Sequence, residues 1–209
     1  MRYEYASENI IICKDFLPPV ILENVQNDLL KNIHAFKMPE WYGTNTLTNQ
    51  KEKYSAFNKS CGGFDYWINF GESPENNENI MALNTRFYNQ GFFSFLQNQG
   101  RDNVFHFLKK DLQAKIHVVC YNHGGFYDWH CDTEFFTFNL IINDGDELQG
   151  GDMLFMDEGR IVEIATSNNL MVVFPSYINH CITPILSKSG KDVSFTQQRF
   201  SIQYWVKCS

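Results

Sequence analysis

The order of apolar and polar positions changes character near residue 114. Before it, apolar residues recur mainly at helical spacing. After it, they alternate in short runs to the end. A β-branched run, Ile10, Ile11 and Ile12, predicts a strand over 9–13. Asp15, Phe16, Leu17, Pro18 and Pro19 break it and open a helix, since proline is tolerated in a first helical turn. Leu22, Val25, Leu29 and Ile33 then form one buried stripe. Residues 36–77 are polar and irregular, with Trp41, Tyr42, Gly62, Gly63, Tyr66 and Trp67 scattered through them. A loop region of that length usually covers or lines something. Ile80, Leu83 and Phe87 predict a second helix over 74–97, interrupted at Gly91. Val104, Phe107 and Leu108 predict a third over 102–112.

From Lys115 the period is two. Strands are predicted over 115–121, 135–142, 152–156, 161–165, 170–174, 181–185 and 199–206, with a further short one through His130. Turn signals separate them, among them His123-Gly124-Gly125, Gln149-Gly150-Gly151 and Asp157-Glu158-Gly159. Short strands so closely punctuated point to a sandwich or barrel. Helices first and strands after argue against a doubly wound sheet. The expected class is mainly β with N-terminal helices, α+β in arrangement.

Composition narrows this picture. A chain of 209 residues is one full-sized domain, and 44% apolar residues give it a core of its own. The 19 Phe, 10 Tyr and 4 Trp favour strands and bulky-lined cavities. The net charge of −7 argues against a nucleic-acid binder. Six cysteines without CxxC spacing remove the main support for zinc-ribbon and thioredoxin readings. The first residues lack a signal-peptide apolar region, and no apolar run is long enough for a membrane span. A cytoplasmic protein with no membrane association is the expectation; oligomeric state is left open.

The stretch 121–132 carries the chemistry. His130 and Asp132 are two apart, so on an extended chain they project from one face. A third ligand must come from a distant strand, and His180 is well placed for it. Two imidazoles and one carboxylate on one face of a metal leave open positions, the arrangement of non-haem Fe(II) oxygenases. Taken alone, the pair is better explained by a histidine bonded to a nearby aspartate. A zinc site drawing on Cys131 and Cys181 is a rival, although alternation turns Cys131 away from the metal and into the core. By the same alternation Arg199, Ser201, Gln203 and Trp205 share a face. An arginine facing a cavity is costly unless an anion pairs with it, and a dicarboxylate would supply one. The plainer reading of Arg199 is a structural ion pair, and Lys188 and Lys191 are rival anion binders. His117 reads as a satisfied core histidine, and His34, His106 and His123 as surface or loop residues. Asp128 and Glu134 read as solvated.

The last 95 residues resemble the catalytic domain of 2-oxoglutarate- and Fe(II)-dependent dioxygenases, especially the prolyl 4-hydroxylase-like branch. The matching order is Tyr121, Gly125, Tyr127, His130-x-Asp132, then Gly150-Gly151-Asp152, then Phe174-Pro175, His180 and Thr183-Pro184, then Arg199 and Trp205. The resemblance implies a double-stranded β-helix, or jelly-roll, over 115–209, with 1–114 as helical support and lid. It implies that His130, Asp132 and His180 are the catalytic iron ligands. Arg199 would bind the distal carboxylate of 2-oxoglutarate, helped by Ser201, and Tyr121 would reach the co-substrate. Tyr127 and Trp205 would line the pocket where substrate enters. Many relatives place a tyrosine hydroxyl on the strand before the Gly-Gly turn. Ile141 stands there in this chain, with Asn139 and Thr137 on the same face as replacements.

The implied cofactors are Fe(II), 2-oxoglutarate and O₂, with ascorbate as reductant. The implied reaction is hydroxylation of an unactivated C–H, foremost in a prolyl residue of a peptide or protein. Related alternatives are a free amino acid, another side chain or a nucleobase. A jelly-roll that binds metal or ligand without turnover is the alternative from another class.

Overall fold

The computed structural model describes residues 2–36, 63–68, 76–87, 90–98, 104–108, 114–143 and 145–206. Trp41, Tyr42 and Gly62, and most of the segment expected as a lid, lie outside them, as does the side chain of His106. The N-terminal part supplies β1 (Arg2–Ser7), β2 (Ile10–Lys14), helix α1 (Pro19–Lys31), β3 (Gly63–Ile68), and helices α2 (Glu78–Phe87) and α3 (Gln90–Asn98). The C-terminal part adds β4 (Ala114–Tyr121), β5 (Tyr127–His130), β6 (Phe136–Asn143), β7 (Leu148–Gly150) and β8 (Met153–Asp157). It continues with β9 (Arg160–Ile164), β10 (Leu170–Pro175), β11 (His180–Ile182), β12 (Ile185–Ser187) and β13 (Arg199–Val206).

The strands form a seven-stranded sheet ordered β1-β2-β10-β6-β13-β4-β3, a four-stranded sheet ordered β5-β11-β8-β9, and the pair β12-β7. This is a double-stranded β-helix core. Strand β13 lies at the centre of the large sheet, paired over its full length with β4 and β6. Its alternation sorts two cores. Phe200, Ile202, Tyr204 and Val206 face a cluster shared with the helices, including Val25, Leu29, Leu83 and Phe87. On the other face, Tyr121, Val119 and Ile141 pack with Phe155 and Ile182 of the small sheet. Much of the phenylalanine excess lies on the helix side. Phe87, for example, contacts Phe16, Phe138 and Tyr204 at centroid distances of 5.4, 5.4 and 4.3 Å.

The N-terminal expectations need correction. β3 extends the large sheet at one edge, where irregular chain was expected, and β1, for which no element was predicted, extends it at the other. In β3 the alternation of Phe64, Tyr66 and Ile68 is hidden by Trp67, which stacks flat on His117 at 4.3 Å. Helix α1 ends at Lys31, so Ile33 falls beyond the stripe and is exposed. In the region expected to form one interrupted helix, α2 and α3 are separate, and α3 begins just ahead of Gly91. Around Val104, the described residues form a short 3-10 turn. The strand expected over 181–185 is split into β11 and β12, because Pro184 has no N–H to give a ladder. Among the described residues no helix is long and apolar enough to cross a membrane.

Asp28 joins α1 to α2. It is fully buried, and its carboxylate accepts the backbone N–H groups of Asn79 (2.8 Å) and Ile80 (3.2 Å), capping α2 from another helix. Asn79 Nδ2 adds a bond at 3.1 Å. Asp28→Ala removes all three and leaves buried donors unmet, so it should lower stability by about 2 kcal/mol. A urea-unfolding midpoint equal to that of the wild type would show that the cap is energetically idle.

Candidate active site

His130 ends β5 and His180 begins β11, and the two are directly opposed in the antiparallel register. Their rings are 4.2 Å apart. Asp132 lies past the end of β5, so alternation alone does not place it. Its backbone N–H donates to Ser176 O at 2.9 Å, which holds the chain against the loop that leads to His180. The carboxylate then reaches both imidazoles. Oδ1 is 3.7 Å from His130 Nε2, and Oδ2 is 3.7 Å from His180 Nε2. All three ligand atoms fall within 4.8 Å of one another.

Each imidazole is oriented from behind. His130 Nδ1 lies 2.7 Å from Asp128 O, and His180 Nδ1 lies 2.9 Å from Ile178 O. A carbonyl only accepts, so each Nδ1 carries the proton and each Nε2 offers its lone pair to the shared space. Packing fixes the rings further: Phe174 lies 4.7 Å from His180, and Tyr127 lies 3.9 Å from His130. Burial, with His180 beside it, holds His130 well below the ordinary imidazole value of 6.5. At neutral pH it is a neutral ligand. Two imidazole nitrogens and one carboxylate oxygen are a donor set that suits Fe(II). Among the described residues this is the one such cluster, and no cysteine joins it.

Arg199 belongs to the large sheet, at the opposite end of β13 from Trp205, whose register partner Thr137 bonds Asp132. It is 1% exposed, and none of its three guanidinium nitrogens has a hydrogen-bond partner among the described residues. Its Cζ lies 5.4 Å from the centroid of the Tyr121 ring. Burial pushes the guanidinium down to about 10, against the opposing pull of Tyr121 and Asp152, so it stays charged at neutral pH. The plainer reading, a structural ion pair, therefore lacks its anion among the described residues. Lys188 and Lys191 are exposed on the loop after β12 and do not share this buried position. The Gly-Gly turn is shaped around this region. Gly150 and Gly151 both have φ +73°, and a Cβ on Gly150 would meet Pro184 O at 2.4 Å. A Cβ on Gly151 would press on Ile185 at 2.8 Å and on Arg199 Cδ at 3.4 Å.

The remaining candidates form a polar row on the inner face. Ser201 Oγ donates to Asn139 Oδ1 at 2.7 Å, and Asn139 Nδ2 reaches Met153 Sδ at 3.5 Å. Gln203 Oε1 lies 3.2 Å from His117 Nδ1, so His117 is a satisfied core histidine. Thr137 Oγ1 donates to Asp132 Oδ2 at 2.5 Å, which directs this hydroxyl at the carboxylate ligand. Trp205 is buried opposite Thr137 in the register and meets Trp67 edge-on at 5.0 Å. Two readings of single residues change. Cys131 is exposed, with Sγ 3.2 Å from Tyr177 O, because β5 stops one residue before it. Glu134 is paired with Lys115 at 2.9 Å rather than solvated. Ser176 was not singled out in the sequence, since nothing local marks a loop serine whose partners lie 39 and 44 residues away.

Residues 116–207 match the 2OG-Fe(II) oxygenase superfamily. Over 87 residues the chain is 29% identical to a PKHD-type hydroxylase of Synechococcus sp. (strain CC9605); the match covers 36% of this chain and 39% of that relative. A Pseudomonas putida prolyl-4-hydroxylase structure aligns over 98% of this chain and 95% of its own, with a TM-score of 0.61 and 18% identity. A Trichoplax adhaerens prolyl hydroxylase, in complex with a peptide fragment of the hypoxia inducible factor oxygen degradation domain, aligns over 96% and 84%, with a TM-score of 0.63 and 16% identity. The match to the 2OG-Fe(II) oxygenase superfamily thus covers residues 116–207, and the chain shares the fold of these prolyl hydroxylase structures.

The low proton affinity of His130 predicts a pH effect on the metal-free protein. The unfolded chain protonates this residue near 6.5, whereas the folded one resists until lower pH. Acid therefore favours unfolding: the contribution is constant well above 6.5 and is lost as pH falls below it. Between about pH 7.5 and pH 5.5, the wild-type urea midpoint in chelator should fall further than that of His130→Gln. Equal falls would mean that His130 titrates normally.

Proposed function

We propose that the protein is a non-haem Fe(II)- and 2-oxoglutarate-dependent dioxygenase that hydroxylates an unactivated C–H, foremost in a prolyl residue of a peptide or protein. One observation carries this reading: a fully buried guanidinium without a hydrogen-bond partner among the described residues lies on the inner face of the large sheet, and a His-Asp-His cluster draws its histidines from the small sheet packed on that face. A dicarboxylate co-substrate answers both. One carboxylate would neutralise Arg199 with paired hydrogen bonds, while the other end would reach the metal.

His130, Asp132 and His180 would hold the iron. With 2-oxoglutarate and O₂, iron supplies the oxidising power that yields succinate, CO₂ and the hydroxylated product. The chain's own work is binding and exclusion. Arg199 fixes the co-substrate's distal end, with Tyr121 packed against the guanidinium. Ile141, Phe155 and Ile182 line the space between the sheets and keep it dry. Tyr127 and Trp205 would meet the substrate. A prolyl substrate is supported by the resemblance, by the prolyl hydroxylases among the structural neighbours, and by aromatic surface suited to a proline ring. Trp67 is 38% exposed beside Trp205 and is such a surface.

Succinate release is the direct assay, run with Fe(II), 2-oxoglutarate, ascorbate and a panel of proline-rich peptides. Turnover dependent on a prolyl peptide is expected; succinate release that no peptide raises would overturn the prolyl assignment. Arg199→Ala should raise the KM for 2-oxoglutarate by about 100-fold or more, since a charge-assisted pair is lost. An unchanged KM would move the anchor to Lys188 or Lys191.

A further inference from the structure

Among the described residues, side-chain hydrogen bonds restrain one oxygen of the Asp132 carboxylate. Thr137 Oγ1 donates to Oδ2 at 2.5 Å, and Thr137 is fully buried. Ser176 Oγ, also fully buried, lies 2.9 Å from Thr137 Oγ1. Thr137 has one proton and spends it on a carboxylate that can only accept, so Ser176 is the donor to Thr137. Ser176 also accepts the backbone N–H of Asp132 at 2.9 Å. The hydroxyls of Ser176 and Thr137 therefore form a directed chain ending on Oδ2, while the Ser176 carbonyl holds the main chain of the same aspartate. No hydrogen bond to Oδ1 is recorded among the described residues.

We infer that Thr137, backed by Ser176, is a positioning residue that makes Asp132 a one-oxygen metal ligand. This rests on the metal reading above and deepens it. A free aspartate can chelate through both oxygens and would fill one of the positions that an oxygenase must leave open. Holding Oδ2 in a charge-assisted hydrogen bond leaves Oδ1 to coordinate and fixes the plane of the carboxylate. Partners behind a metal ligand typically set affinity by 10–100-fold. Thr137 sits on β6, directly opposite Trp205 on the central strand, so the restraint is anchored in the most extensively paired part of the sheet.

The test uses the metal-free protein with Co(II) and Mn(II) as probes, read by the Co(II) visible spectrum and by counting Mn(II)-bound waters with magnetic resonance. Thr137→Val keeps the shape and removes the hydroxyl. It should weaken Co(II) binding about 10–100-fold and lower the number of bound waters by one. Thr137→Ser should restore both. Ser176→Ala should weaken binding by a smaller factor, and it reads the same chain if the valine variant does not fold. Wild-type affinity, spectrum and water count in folded Thr137→Val, or in folded Ser176→Ala where the valine variant fails, would overturn the inference. Failure of the wild type itself to bind either metal would instead remove the metal reading on which it rests.

Discussion

A buried positive charge that no described residue pairs by a hydrogen bond, in the seam between two sheets, is the constraint around which the rest of the site is arranged. Leaving a guanidinium buried without a counter-ion costs on the order of several kcal/mol even after relaxation. Arg199 is held in that state by eight-residue ladders on both sides of β13 and by Tyr121 packed against it. The Gly150-Gly151 turn runs so close to it that the Gly151 position has little room for a side chain. This environment favours an anion from outside the chain. The exposed lysines nearby have no such need, since water already solvates them.

The proposed metal ligands obey a different logic. They come from two strand ends brought together by register, and their orientation is set by groups that never touch the metal. Backbone carbonyls select the tautomer of each histidine, and Ser176 fixes the path of Asp132. The ligand atoms point into a common space because each is tied from behind. The site is thus preorganised before any ion arrives, and His130, held neutral by burial, need lose no proton to bind one. Its two halves come from the two sheets that pack together, which is how a single co-substrate between them could be gripped at both ends.

Much of this was legible in the sequence, for physical reasons that differ by residue. Arg199, Ser201 and Trp205 could be placed on one face because a central strand obeys strict alternation. The His130, Asp132 and His180 set was legible from residue type and motif order, although Asp132 reaches its place through a loop contact rather than through the strand. Cys131 shows where that logic fails: one residue past a strand end, the pleat no longer says which way a side chain points. β3 escaped because an edge strand draws its stability from its neighbour, β4, and its own pattern is broken by Trp67. The bond from Thr137 to Asp132 and the support from Ser176 are long-range consequences of the fold, and no local signal announces them.

On this reading one ferrous ion and one 2-oxoglutarate are held together in the space between the two sheets. Anaerobic addition of Fe(II) and 2-oxoglutarate to the folded protein tests it without knowledge of the substrate. A weak visible metal-to-ligand charge-transfer band that appears only with both additions, and is lost in Asp132→Ala, is the predicted result. Folded wild-type protein that shows no such band, or a band that persists unchanged in Asp132→Ala, would contradict it.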